Sequence, residues 1–282
     1  MTLRLLALVM VFTGAIGTEP LASAATYFNE GFEGSLQPNW STDSCNFMGV
    51  SPPANGCNPF ITSEIAHGGS KALRADYTGN PPSRAGCPNS PTIECGVTAY
   101  RTYTPTVDHW KRFWYRTENF TYGSISTKNV YDYTTDNSPS FVWGHHFGDR
   151  ALQLDAQGIP SQTCPSGKIG STCSFWPNMA SVPLNDNQWY CIETHLNLGT
   201  AGGSDGSIEI FINGTQTTGY YNQRFLEAGQ PDAINQVKIY AQSGSGIMYY
   251  DDFAIGNSRI GCDGASGIDL VPPASPQGLS LR

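Results

Sequence analysis

Trp189-Tyr-Cys-Ile-Glu-Thr-His-Leu-Asn-Leu198 alternates along its length. Tyr190, Ile192, Leu196 and Leu198 point one way, and Cys191, Glu193, His195 and Asn197 the other, as on a strand with one buried face. The Gly-rich turn 199–206 follows, then Ser207-Ile-Glu-Ile-Phe-Ile212 closed by Asn213-Gly214, the strongest two-residue hairpin signal. Working outward, strand signals cover 71–77, 96–103, 111–117, 141–146, 151–154, 236–241 and 247–255. No helical period lasts beyond a turn or two after residue 25, and no repeat occurs. Such spacing predicts an all-β chain, folded as one large jelly-roll β-sandwich of two antiparallel sheets. Residues 44–59 and 157–183 read as loops.

Composition agrees. Thirty-one Gly, 19 Pro and 12% aromatic residues favour short strands and turns. Only 13% of residues are charged and the net charge is −8, which argues against a charge-rich disordered chain and against a nucleic-acid partner. The N-terminus carries Arg4, an apolar run from Leu5 to Gly17 and the small-residue site Ala22-Ser-Ala24, the pattern of a secretory signal peptide. Residues 1–24 are therefore expected to be removed, leaving a domain at 25–262 and a Pro-rich tail at 263–282. No membrane span is expected in the mature chain, which is read as a secreted (extracellular or periplasmic) monomer.

All eight cysteines follow the cleavage site, as an oxidising destination requires. Nearest-neighbour pairing joins Cys45 to Cys57, Cys87 to Cys95 and Cys164 to Cys173, leaving Cys191 and Cys262 for one long-range bridge. Spacing alone leaves other connectivities open. No CxxC or close His/Cys cluster supports zinc.

Three segments resemble the concanavalin A-like lectin/glucanase jelly rolls, in particular their secreted polysaccharide lyases and sugar-binding members. They are Phe28-Asn-Glu-Gly-Phe-Glu-Gly34 with Trp40; Trp189-Tyr-Cys-Ile-Glu193 through to Ile210-Phe-Ile-Asn-Gly214; and Tyr249-Tyr-Asp-Asp-Phe-Ala-Ile255 with Ser258-Arg-Ile-Gly261. The resemblance implies that the first and last strands pair. It also implies a structural calcium ion at Glu33 and Asp252, whose hard oxygens suit that ion; a hydrogen-bonded Asp and a solvated Glu are the alternative. No organic cofactor is implied.

The Glu-x-Asp-x-x-Glu strand of laminarinase-type relatives has no match, because Glu193 is followed by Thr194, His195 and Leu196. Lyase chemistry needs a cation to neutralise a uronate carboxylate, a base for the C5 proton and an acid for the leaving oxygen. Residues 101–128 hold Arg101, Lys111, Arg112, Arg116 and Lys128 against only Asp108 and Glu118. On this reading Arg116 and Lys128 neutralise an acidic polysaccharide, His145 or His146 is the base, and Tyr131 or Tyr240 the acid. Arg112, Trp114, Trp143 and Lys238 are the substrate-binding residues. Alternation lets only one of His145 and His146 reach a groove. Arg116-Thr-Glu118, His145-His146 and Tyr220-Tyr-Asn-Gln223 follow the order of jelly-roll alginate lyase motifs. Tyr220, so soon after Gly214, is expected in a loop, and Val237-Lys-Ile-Tyr-Ala241 is the better match to the sugar-facing strand. A non-catalytic sugar-binding module, stacking sugars on Trp114, Trp143 or Tyr240, is the competing reading.

Overall fold

The computed structural model describes residues 26–36, 40–42, 59–76, 97–121, 127–134, 139–145, 150, 152–159, 173–175, 182–230, 233–242 and 245–262. These form β1 (Thr26–Glu30), β2 (Ser41–Thr42), β3 (Phe60–Thr62), β4 (Ala72–Asp76), β5 (Val97–Thr106), β6 (Asp108–Thr121), β7 (Thr127–Thr134) and β8 (Ser140–His145). The remainder are β9 (Leu152–Ile159), β10 (Cys173–Phe175), β11 (Tyr190–Asn197), β12 (Gly206–Ile212), β13 (Thr215–Gln223), β14 (Ile234–Gln242) and β15 (Ser245–Gly256). One sheet runs β13-β12-β11-β6-β15-β4-β3, with β1 also on β15; the other runs β10-β9-β8-β7-β14-β5-β2. Every pairing is antiparallel, and the described residues include no helix.

The β11–β12 pair aligns Ile192 with Ile212 and Leu196 with Ile208, all of them buried. Asn213 and Gly214 adopt φ of 51° and 79°, the left-handed geometry a two-residue hairpin needs. The turn leads into β13, so Tyr220 lies in a strand, opposite Ile208, and not in the expected loop. Likewise β10 falls inside the stretch read as a loop. An Asn-Gly hairpin directs the chain back alongside its partner, which is why the strand begins so soon after Gly214.

Strand β15 crosses the middle of its sheet and changes face along the way. Met248 and Tyr250 are buried, and so are Phe253 and Ile255. The shift from even to odd positions is a bulge between Asp251 and Ala254, where Asp252 takes φ 45°. The N-terminal half of β15 pairs with β4, and the C-terminal half with β1, so the first and last strands do meet. Phe253 then stacks on Phe113 at 5.4 Å and meets Trp40 edge-on at 5.6 Å, joining the centre of the core to the first strand's Phe28 at 6.0 Å. Burying each such ring contributes about 1.5–3 kcal/mol.

After β15 the chain returns across the outer face of its own sheet. Buried Glu193 accepts hydrogen bonds from the amides of Ile260 (2.8 Å) and Gly261 (2.7 Å) and from Arg259 (3.1 Å). Cys191 and Cys262 are disulfide-bonded, as nearest-neighbour pairing expects. Cys45, Cys57, Cys87, Cys95 and Cys164 lie outside the described residues, and only the backbone of Cys173 is described.

Candidate functional site

The two faces of β7 divide the chemistry. Val130 and Asp132 point between the sheets, whereas Tyr131 packs with Val142 and Tyr133 in a small cluster separate from the main core. The rings of Tyr131 and Tyr133 stack in parallel at 5.3 Å. Register carries this face across the sheet: Val142 on β8 is opposite Tyr131, Tyr131 is opposite Lys238 on β14, and Lys238 is opposite Tyr100 on β5. With strands about 4.8 Å apart, the row is about 14 Å long. It places half-buried Lys238 between half-buried Tyr100 and buried Tyr131, which is 6% exposed, on the side of the sheet away from the main core. A cation neutralises a carboxylate, and a phenol can give or take a proton. Of Lys128 and Tyr240 only strand positions are described, opposite Gly144 and Thr98 on this sheet. His146 lies outside the described residues.

The other expected site residues are elsewhere. Trp143 is 1% exposed between the sheets and donates its indole N–H to Asp132 at 2.9 Å. His145, also 1% exposed, meets the Tyr115 hydroxyl at 3.3 Å through Nε2, and Asn129 donates to that hydroxyl at 2.9 Å. His145 is therefore a core residue and not a base in a groove.

Arg112, Trp114 and Arg116 alternate on the outer face of β6, which belongs to the opposite sheet from Tyr131 and Lys238. Arg112 donates to the carbonyls of Asp252 (3.2 Å) and Gly261 (3.4 Å), beneath the returning chain. Trp114 stacks on His67 at 3.5 Å. Arg116 donates to the Asn187 carbonyl (2.7 Å) and side-chain oxygen (3.0 Å). Lys111 points inward to Asp132, and Arg101 pairs with Glu30 while covering the Phe28 ring at 4.2 Å. The four cations of the basic stretch whose side chains are described thus belong to the frame of the sandwich. Alternation revealed that β6 has two faces, but Lys111 and His109 on the core-facing one disguised which was which.

Two clusters lie apart from this face, and the first of them has no counterpart among the residues expected from the sequence. His195 contacts Glu209 through Nδ1 and Asp108 through Nε2, both at 2.7 Å, and stacks on Trp110 at 4.2 Å. Its partner is not the neighbouring Glu193. Burial opposes protonation, but hydrogen bonds and charge from the two carboxylates outweigh it and raise the His195 pKa. Partners on other strands, Glu209 on β12 and Asp108 on β6, leave no local signal around His195.

The second cluster surrounds the β15 bulge. The amides of His67 (2.7 Å) and Gly68 (3.1 Å) donate to Asp251, while His67 Nδ1 meets Asp252 at 2.8 Å. Glu33 accepts hydrogen bonds from the Ser70 amide (2.7 Å), the Ser70 hydroxyl (2.7 Å) and the Lys71 amide (3.0 Å). A Cβ at Gly31 would lie 3.8 Å from Asp252 Oδ1 and 3.9 Å from Glu33 Cγ, and one at Gly68 only 2.8 Å from Asp252 Oδ2. Glycines thus leave a cradle lined by carboxylate oxygens, the donor type calcium prefers, although Glu33 and Asp252 already accept hydrogen bonds there. Among the described residues no three His, Cys, Asp or Glu side chains form a metal cluster, so main-chain carbonyls and water would complete such a shell.

No family model and no curated protein matches the sequence. Solved structures do. An endo-β-1,4-glucuronan lyase from the fungus Trichoderma reesei has a TM-score of 0.54 at 13% identity, covering 83% of this chain and 96% of that one. The marine alginate lyase from Aplysia kurodai gives 0.54 at 15% identity, covering 82% and 99%. The cellulose-induced protein Cip1 gives 0.51 at 20% identity, covering 83% and 99%. The chain shares with these proteins the concanavalin A-like jelly-roll fold.

Proposed function

We propose that this is a secreted polysaccharide lyase that cleaves an acidic, uronate-containing glycan by β-elimination on the outer face of the seven-stranded sheet. The observation that carries the proposal is the row Tyr100–Lys238–Tyr131. Lys238 neutralises the uronate carboxylate and so acidifies the C5 proton. A base removes that proton, its electron pair forms the C4–C5 double bond, and the C4–O4 bond breaks. Tyr131 protonates the departing O4. Since His145 faces the core, the alternation read from sequence leaves His146 as the base. The described residues support the cation and the acid. Arg116 and Arg112 have no part in this scheme, because they belong to the opposite sheet.

Tyr131→Phe tests the assignment. It keeps the stack on Tyr133 and removes only the phenolic proton, so kcat is expected to fall about 10²–10⁴-fold with KM little changed. Wild-type turnover in that variant would remove Tyr131 from the mechanism.

One observation favours a second reading, a non-catalytic sugar-binding module. The histidine of the pair that is described lies in the core, leaving tyrosines and a lysine as the described chemistry of the face. Binding of an acidic glycan without cleavage would select that reading. Under either, we assign Glu33 and Asp252 to a calcium ion that joins the first and last strands, remote from the sugar face.

A further inference from the structure

Beneath the tyrosine face lies an ionic network that the proposed chemistry does not use. Asp132, Lys111 and His109 are each 0% exposed. The Lys111 ammonium pairs with Asp132, and Trp143 donates to the same carboxylate at 2.9 Å. His109 Nε2 approaches Asp132 Oδ1 at 3.3 Å without completing a hydrogen bond, and His109 Nδ1 meets the Tyr103 hydroxyl at 3.0 Å. The groups come from β5, β6, β7 and β8, and β6 belongs to the other sheet. Burial alone would raise the Asp132 pKa, but Lys111 and His109 hold it well below the usual carboxylate range.

Such a network is a poor source of stability. Removing two charges from water costs several kcal/mol per ion, and well-packed apolar replacements are often neutral or stabilising. What it supplies is a unique arrangement, since a carboxylate reaches all these donors in one placement only. Asp132 lies between Tyr131 and Tyr133 in sequence, and its backbone is paired on both sides, to Val237 and Phe141.

We propose that Asp132, clamped by Lys111 and Trp143, is a positioning residue: it locks β7 so that Tyr131 and Tyr133 are held in place on the opposite face. Its relevance to turnover rests on the reading of that face as the sugar site; the mechanical claim does not. A phenol that gives up a proton must be held to a fraction of an ångström, and an apolar core residue does not define its strand so narrowly.

The test is amide hydrogen exchange on Lys111→Met/Asp132→Leu, with Trp143→Phe as a milder variant that removes one N–H and keeps the ring packed. In the double variant the melting temperature is expected to hold or rise, while amides 130–134 exchange about tenfold faster and those of β12 are unchanged. Trp143→Phe is expected to give a smaller increase at the same amides. On a cleaved glycan the double variant is expected to lose kcat with KM preserved. Wild-type exchange at 130–134 in both variants would overturn the proposal, as would a double variant that does not fold, because the network would then be holding up the fold itself. A wild-type protein that cleaves no glycan refutes the lyase reading and leaves the exchange result to decide this one.

Discussion

Replacing both Cys191 and Cys262 by Ala removes a bridge whose contribution can be worked from its position. The bond closes a loop with a sequence separation of 71 residues. None of the other six cysteines lies within that interval, so no further crosslink shortens it. Chain-entropy treatment of a loop this long gives about 4.4 kcal/mol at 25 °C. Little is added by lost native contacts, because Glu193 still holds the amides of Ile260 and Gly261 and the Arg259 side chain. The effect therefore acts on the unfolded chain. Urea unfolding without reductant should show a loss approaching that figure and an increased m value, as the unfolded state expands. At about 2–4 °C per kcal/mol for a domain of this size, the melting temperature should fall by roughly 9–18 °C. A loss below about 1 kcal/mol would refute the reasoning and show that the unfolded chain is already compact around this segment.

Three further outcomes are expected. His195 has both ring nitrogens on carboxylates and a raised pKa, so its contribution to stability is complete below its ordinary value near 6.5 and is lost as pH rises through the higher folded value; melting temperature against pH should show this decline, and His195→Gln should abolish it. Chelation should lower the melting temperature of the wild type but not of Asp252→Ala, and an unchanged wild-type melt would leave only the hydrogen-bonded arrangement at Glu33. His145→Ala should destabilise the protein by about 1–3 kcal/mol through its buried polar contacts while turnover per folded molecule stays at the wild-type level, as activity normalised to the native fraction would report.

The fold was legible where one physical rule dominated. The alternation of 190–198, the Asn-Gly turn and the closing Tyr249–Ile255 strand each declared themselves, and together they define a two-sheet sandwich. The site was harder to read because β-alternation separates faces without naming them. At β6 the core-facing set includes His109 and Lys111, so the outward Trp114 and Arg116 looked equally suited to a groove. Which sheet β6 joins depends on its pairing with β11 and β15, and that is long-range information. The bulge at Asp252 is likewise silent in sequence, since Asp251 and Asp252 interrupt a strand without any Gly to mark it. Lys238 and Tyr131 were both picked out, but their adjacency is a matter of register between strands a hundred residues apart.

The measurement that bears most directly on the central claim is the ultraviolet absorbance of unsaturated uronate product released from a panel of acidic polysaccharides, for the wild type and for Lys238→Ala. Product is expected from at least one uronate-containing glycan and from no neutral one, with the rate for Lys238→Ala falling at least about tenfold as carboxylate neutralisation is lost. No product from any acidic glycan, or undiminished cleavage by Lys238→Ala, would contradict that claim.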